Sequence, residues 1–127
     1  AFSEERFYLS ESAVNQAIRN RSMFNLLDSR TGDKVDFWLL TDQPWDKKRF
    51  ERRIEEQILD VETYVSAPED TLLAKLRWAK LSGGSEKQMN DARGVFAVQA
   101  GQLDLEYLNH WASELGVTDL WNSIYQP

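Results

Sequence analysis

The chain has 127 residues, 42% of them hydrophobic and 28% charged, with a formal net charge of −6 at pH 7. That length suits one domain with a real core, and the composition excludes a disordered chain. No apolar run approaches the roughly 18 residues that a membrane span requires, and no signal-peptide pattern opens the chain. The absence of cysteine excludes a disulfide framework, a thiolate metal site and a thiol nucleophile. A cytoplasmic protein without a membrane partner is therefore expected. The charge is uneven: Arg19 to Arg53 holds nine Lys and Arg against six Asp and Glu, whereas Ala100 to Pro127 holds four acids and no Lys or Arg. The acidic total argues against non-specific binding along a nucleic-acid backbone, which needs a basic footprint.

Taken in order, Phe7-Tyr8-Leu9 predicts a short strand. Ser10 then caps a helix to about Asn20, with Ala13, Val14, Ala17 and Ile18 on one face. Phe24 to Asp28 and Lys34 to Leu40 predict an antiparallel hairpin, turned at Thr31-Gly32-Asp33, where Gly32 supplies a positive φ. Thr41 to Pro44 reads as a loop. Asp46 to about Glu55 reads as a helix with Phe50 and Ile54 as its anchors. Its basic run, Lys47 to Arg53, is foremost a solvated face. Ile58 to Val65 predicts one bent strand or a small hairpin.

Helices fill the rest. Ser66-Ala67-Pro68-Glu69 fits a capping box, and Leu72, Leu73, Leu76 and Ala79 make the buried stripe of the helix that follows. Ser82-Gly83-Gly84 ends it. Ser85 caps the next helix, whose apolar side is Met89, Ala92, Val95 and Phe96. Gly94 inside it implies a closely packed neighbour. Asp104 caps a helix carrying Leu105, Leu108, Trp111, Ala112 and Leu115, with Gly116 past its end. Thr118 caps a last helix with Leu120, Trp121, Ile124 and Tyr125. The expected class is α+β: a small antiparallel or mixed sheet with flanking helices in residues 1–65, and a helical bundle in 66–127 packed on it as one compact domain.

Few groups offer chemistry. One histidine, His110, cannot build a hydrolytic triad or a histidine-rich metal site, and surface or packing is the better reading. The Ser82–Ser85 segment lacks the Lys-Ser/Thr ending of a phosphate loop and joins two helices, so it is a hinge. The five tryptophans read as core and interface anchors before a base-stacking platform. Asp36 stands out, an aspartate in a strand-forming run. Alternation puts it on one face with Lys34, opposite Val35 and Phe37. An ion pair or a polar outer face explains it as readily as a metal-binding or general-base carboxylate. On the first C-terminal helix, Asp70 and Lys75 are about 140° apart and do not pair, while Lys75 flanks the buried stripe. Asp91 edges the apolar side of the next helix.

In this order, Lys34-Val35-Asp36-Phe37, Pro68-Glu69-Asp70 with Lys75, and Gln88, Asp91, Val95 and Phe96 resemble the nucleotidyltransferase superfamily of DNA polymerase β type. More narrowly, they resemble small bacterial nucleotidyltransferase-like proteins related to abortive-infection and toxin–antitoxin transferases. Leu103-Asp104-Leu105, Tyr107-Leu108, Trp111-Ala112 and Leu115 are similar to the helical end of that group. The resemblance implies Mg²⁺-dependent transfer of a nucleotide from an NTP to a hydroxyl of RNA or protein, with an antitoxin-like partner possible. Asp36 is then the third metal carboxylate or the catalytic base, with Lys75, Lys34 and Arg77 on nucleotide phosphates and Asp70 and Asp91 in support. The family's Asp-x-Asp pair has no counterpart before Lys34, where the acids are Glu4, Glu5, Glu11, Asp28 and Asp33. The chain also starts at Ala1. A trimmed chain, inactive alone and self-associating through an apolar sheet edge, is therefore expected. A non-catalytic interaction module on the same scaffold is the alternative.

Overall fold

A computed structural model describes residues 7–20, 23–32, 34–58 and 61–125. The architecture is α+β, in the order β1 (Phe7–Tyr8), α1 (Glu11–Asn20), β2 (Met23–Asp28), β3 (Lys34–Trp38), α2 (Pro44–Glu51), β4 (Ile54–Ile58), β5 (Val61–Val65), α3 (Pro68–Leu81), α4 (Glu86–Gln99), α5 (Leu105–Glu114) and α6 (Thr118–Tyr125). It divides into two compact units, one of residues 1–51 and 55–64, the other of residues 52–54 and 65–127.

The first unit is built on the hairpin. β2 pairs antiparallel with β1 on one side and β3 on the other, with Phe24 opposite Phe37, Asn25 opposite Asp36, and Leu26 opposite Val35. Period-two alternation puts Phe24, Leu26, Val35 and Phe37 on one face, where Leu26 is buried and the two phenylalanine rings stack at 5.1 Å. Asn25 and Lys34, on the other face, are exposed. The turn needs Gly32 at φ 80°, and its N–H donates to the Asp28 carbonyl at 2.7 Å. α1 packs against β2, with Ser10 Oγ accepting from the Ala13 N–H. Only Ala17 of its expected apolar face is fully buried, and Ile18 is exposed.

α2 departs from expectation. It starts at Pro44 and ends at Glu51, and Ile54 opens β4 where the helix was expected to continue. Proline suits a first helical turn because its missing N–H has no partner there anyway. Phe50 and Ile54 are exposed, and Trp45 is the anchor, with the Arg49 guanidinium 4.1 Å over its ring. The basic run is thus not wholly solvated: the Asp46 carboxylate meets Arg49 Nη2 at 2.8 Å, both side chains buried. The other Asp46 oxygen accepts from the N–H and hydroxyl of Thr41, tying the loop to the helix start. β4 and β5 form a two-stranded sheet, and the link at Leu59 and Asp60 lies outside the described residues.

In the second unit, Leu72, Leu73, Leu76 and Ala79 of α3 are fully buried, as the 3.6-residue period predicts, and α4 and α5 pack against this helix. Met89 and Ala92 of α4, Leu108 and Ala112 of α5, and Trp121 and Ile124 of α6 complete the core. α3 has no side-chain cap: the helix starts at Pro68, so its N-cap is Ala67, one position past Ser66, and alanine carries no oxygen to accept from the first turn. Ser85 and Asp104 do cap α4 and α5, by accepting from Gln88 N–H and Tyr107 N–H. Gly94 is exposed with open space around its Cα, so it marks no close helix approach. α5 ends in a Schellman turn, with Gly116 at φ 71° and the Val117 N–H donating to the Ala112 carbonyl. Lys80 Nζ donates to the Gly116 carbonyl at 2.8 Å, fastening this turn to the end of α3.

Leu76 sits at the centre of the buried stripe. Leu76→Ala should cost about 3 kcal/mol, the transfer and cavity terms of a fully buried leucine, measured by urea unfolding.

Candidate functional site

The strongest polar constellation lies at the start of α3. Glu69 and Asp70 follow Pro68 in the first turn, where the helix dipole favours acids. Arg52 reaches both: Nη2 lies 2.6 Å from Glu69 Oε1 and Nε 3.2 Å from Asp70 Oδ2. Its guanidinium stacks 3.8 Å over the Tyr107 ring, and the Tyr107 hydroxyl donates a short hydrogen bond to the other Asp70 oxygen. Glu69 Oε2 accepts from the Asp104 N–H at 2.9 Å, so it anchors the residue that caps α5. Asp70 has no solvent exposure and Glu69 almost none. Burial, and then donation to Asp70, push the Tyr107 phenol well above its usual range.

The residues assigned to chemistry fall as follows. Asp36 lies on β3 opposite Asn25, on the face that carries exposed Asn25 and Lys34; its side chain lies outside the described residues. Among the described side chains of the hairpin Asp28 is a fully buried carboxylate, and its Oδ1 accepts from the Arg30 N–H at 3.0 Å. Lys34 is exposed at the start of β3. Lys75 of α3 meets Asp91 of α4, with Nζ 3.6 Å from Oδ2 and both side chains partly exposed. Asp70 pairs with Arg52 and Tyr107, so it and Lys75 serve separate partners. Arg77 is exposed on α3. His110 is exposed and meets Trp111 edge to face. Asp36 and Lys34 thus belong to the first unit, and Lys75, Arg77, Asp70 and Asp91 to the second.

Mg²⁺ does not fit the acids of α3. Both oxygens of Asp70 and both of Glu69 already accept from Arg52, Tyr107 and the Asp104 N–H. A hard cation demands oxygen donors that are free to turn toward it. Among the described residues no group of three or more His, Asp and Glu side chains is placed to hold a metal ion. No family model, curated protein or solved structure matches this chain.

The periodicity did not reveal Arg52 or Tyr107. Arg52 sits inside a basic run that favours a solvated reading, and Tyr107 lies on the flank of the α5 stripe. The one available signal is the pair of consecutive acids, Glu69 and Asp70, in the first turn of an otherwise apolar helix. Two carboxylates there call for cations or donors from elsewhere in the chain.

Arg52→Ala should cost about 2–3 kcal/mol in thermal or urea unfolding. That is below the full figure for breaking a buried pair, because 27% of the Arg52 side chain meets solvent. Tyr107→Phe should cost about 2 kcal/mol, the worth of a hydrogen bond to a charged acceptor. The folded-state phenol is raised above its unfolded value of about 10, so its contribution is complete below that pH and declines as pH rises toward the folded value. The stability gap between wild type and Tyr107→Phe should therefore stay constant to about pH 10 and narrow above it.

Proposed function

We propose that the chain is a non-catalytic, nucleotidyltransferase-like module that binds another protein. One observation carries this reading: the acids and bases that a transferase would present on α3 and α4 are spent on one another. Asp70 and Glu69 are closed off by Arg52, Tyr107 and the Asp104 N–H, and Lys75 is partly neutralised by Asp91. A carboxylate with no exposed surface and both oxygens occupied serves as a structural anion, not as a metal ligand. The same unit shows apolar side chains to solvent: Trp78 and Leu81 at i, i+3 on α3, Val98 on α4, and Tyr125 on α6. Tyr125 stacks on buried Trp121 at 5.3 Å, a rigid backing for a contact surface.

The nucleotidyltransferase reading keeps one supporting feature. Position 36 shares a face of β3 with Lys34, and β3 ends the three-stranded sheet among the described residues. A strand supplied by a longer chain could bring a carboxylate pair alongside it. In such a chain Asp36→Ala would abolish transfer from an NTP to RNA or protein, and unchanged turnover would remove Asp36 from any metal role.

For the module itself, calorimetric titration with each NTP in the presence of Mg²⁺ should yield no saturable heat. Mg²⁺-dependent nucleotide binding that Lys75→Ala removes would overturn the module reading and restore the transferase one.

A further inference from the structure

We propose that β3 pairs edge to edge with β3 of a second copy of this chain. The two strands run antiparallel across a two-fold axis at Val35, with Lys34 of each copy opposite Asp36 of the other.

Three observations lead there. First, β3 ends the sheet β1–β2–β3, and no strand lies on its other side among the described residues. Its outer edge therefore offers ladder N–H and C=O groups, and an open edge is a template for another strand. Second, the five residues Lys34–Trp38 include valine, phenylalanine and tryptophan and no proline, so nothing in the backbone blocks a new ladder. Val35 and Phe37 also continue the apolar face of Leu26 and Phe24 to that edge. Third, the charges are self-complementary. Lys34 and Asp36 occupy positions two apart on one face of the strand.

A two-fold axis at residue 35 sets 34 opposite 36 twice over and Val35 opposite its own copy. An axis one position later, at 36, faces aspartate with aspartate. One position earlier, at 34, faces lysine with lysine. Opposite charges across a ladder attract and like charges repel, so the charge pattern selects the first register. The product is an isologous pair with a continuous six-stranded sheet, at the upper end of the common size range.

The single exposed lysine is also what a protein uses to keep an edge strand alone, so the test must separate pairing from protection. Pairing rests on the module reading, since a further strand of a longer chain on this edge would exclude the second copy.

Wild type and the variants Lys34→Glu and Asp36→Lys are compared by sedimentation velocity at micromolar concentrations, with circular dichroism confirming that each is folded. Wild type should be dimeric, and each single variant should weaken association at least tenfold by setting like charges opposite. Mixing the two variants should restore dimers, and native mass spectrometry should show them to be mixed. In the mixed pair the glutamate introduced into one copy meets the lysine introduced into the other. The double variant Lys34→Glu/Asp36→Lys should also dimerise. A monomeric wild type, single variants that dimerise as wild type does, or a mixture that stays monomeric would overturn the pairing. Nucleotide binding is read separately: Mg²⁺-dependent binding by wild type overturns the module reading, whereas a monomeric wild type overturns only the β3 pairing.

Discussion

The helical unit depends on the neutralisation of two buried carboxylates at the start of α3. Glu69 and Asp70 lie out of solvent, and an isolated pair of anions there would be too costly to keep. Arg52 supplies the charge, Tyr107 a second donor to Asp70, and the Asp104 backbone a second donor to Glu69. Each partner comes from a different part of the unit: Arg52 from the short segment ahead of β4, Tyr107 from α5, and Asp104 from the loop before α5. The network therefore fixes α3 against the segments that precede and follow it. The apolar stripe supplies most of the driving force but is less particular about register, because leucines slide more readily than forked hydrogen bonds.

This arrangement bears directly on function. A Pro-Glu-Asp turn followed by a lysine has the polar residue types of a phosphate- and metal-handling helix. The chemistry of a site depends on which donors and acceptors stay free after folding. At the start of α3 the acids are satisfied internally and Lys75 leans on Asp91, while Trp78, Leu81, Val98 and Tyr125 of the same unit stand partly in solvent. The first unit differs. Among the described residues its hairpin ends the sheet at β3, with the positions of Lys34 and Asp36 on one face, a pattern suited to pairing with a strand of opposite charge order.

Helical periodicity located most of the core. The stripe Leu72, Leu73, Leu76 and Ala79, the caps Ser85 and Asp104, and the Gly116 stop are local features, set by side-chain spacing and by the conformational freedom of glycine. The hairpin was equally legible, since Gly32 between two runs of strand formers is a local signal. Expectation failed where particular side-chain contacts and the exact helix start, local or distant, decide the outcome. Phe50 was expected to anchor α2, but Trp45 lies under Arg49 instead. Ser66 was expected to cap α3, but the helix starts at Pro68 and leaves Ala67 at the cap. Gly94 suggested a close helix approach, yet it faces solvent.

The sequence by itself determined the α+β class, the hairpin, the run of helices beyond Pro68 and the absence of any thiol chemistry, because each follows from composition or from periods of two and 3.6 residues. Only the tertiary structure decided which charged residues are buried and with whom. Asp28, Asp46 and Asp70 are buried carboxylates, each with a donor or an arginine of its own, though one buried Asp46 oxygen accepts no hydrogen bond, while Lys34 stays in solvent. Asp28 and Asp46 meet donors two and five positions away, but in the Arg52, Glu69, Asp70 and Tyr107 set the partners lie 17, 18 or 37 positions apart. No local pattern encodes such a meeting.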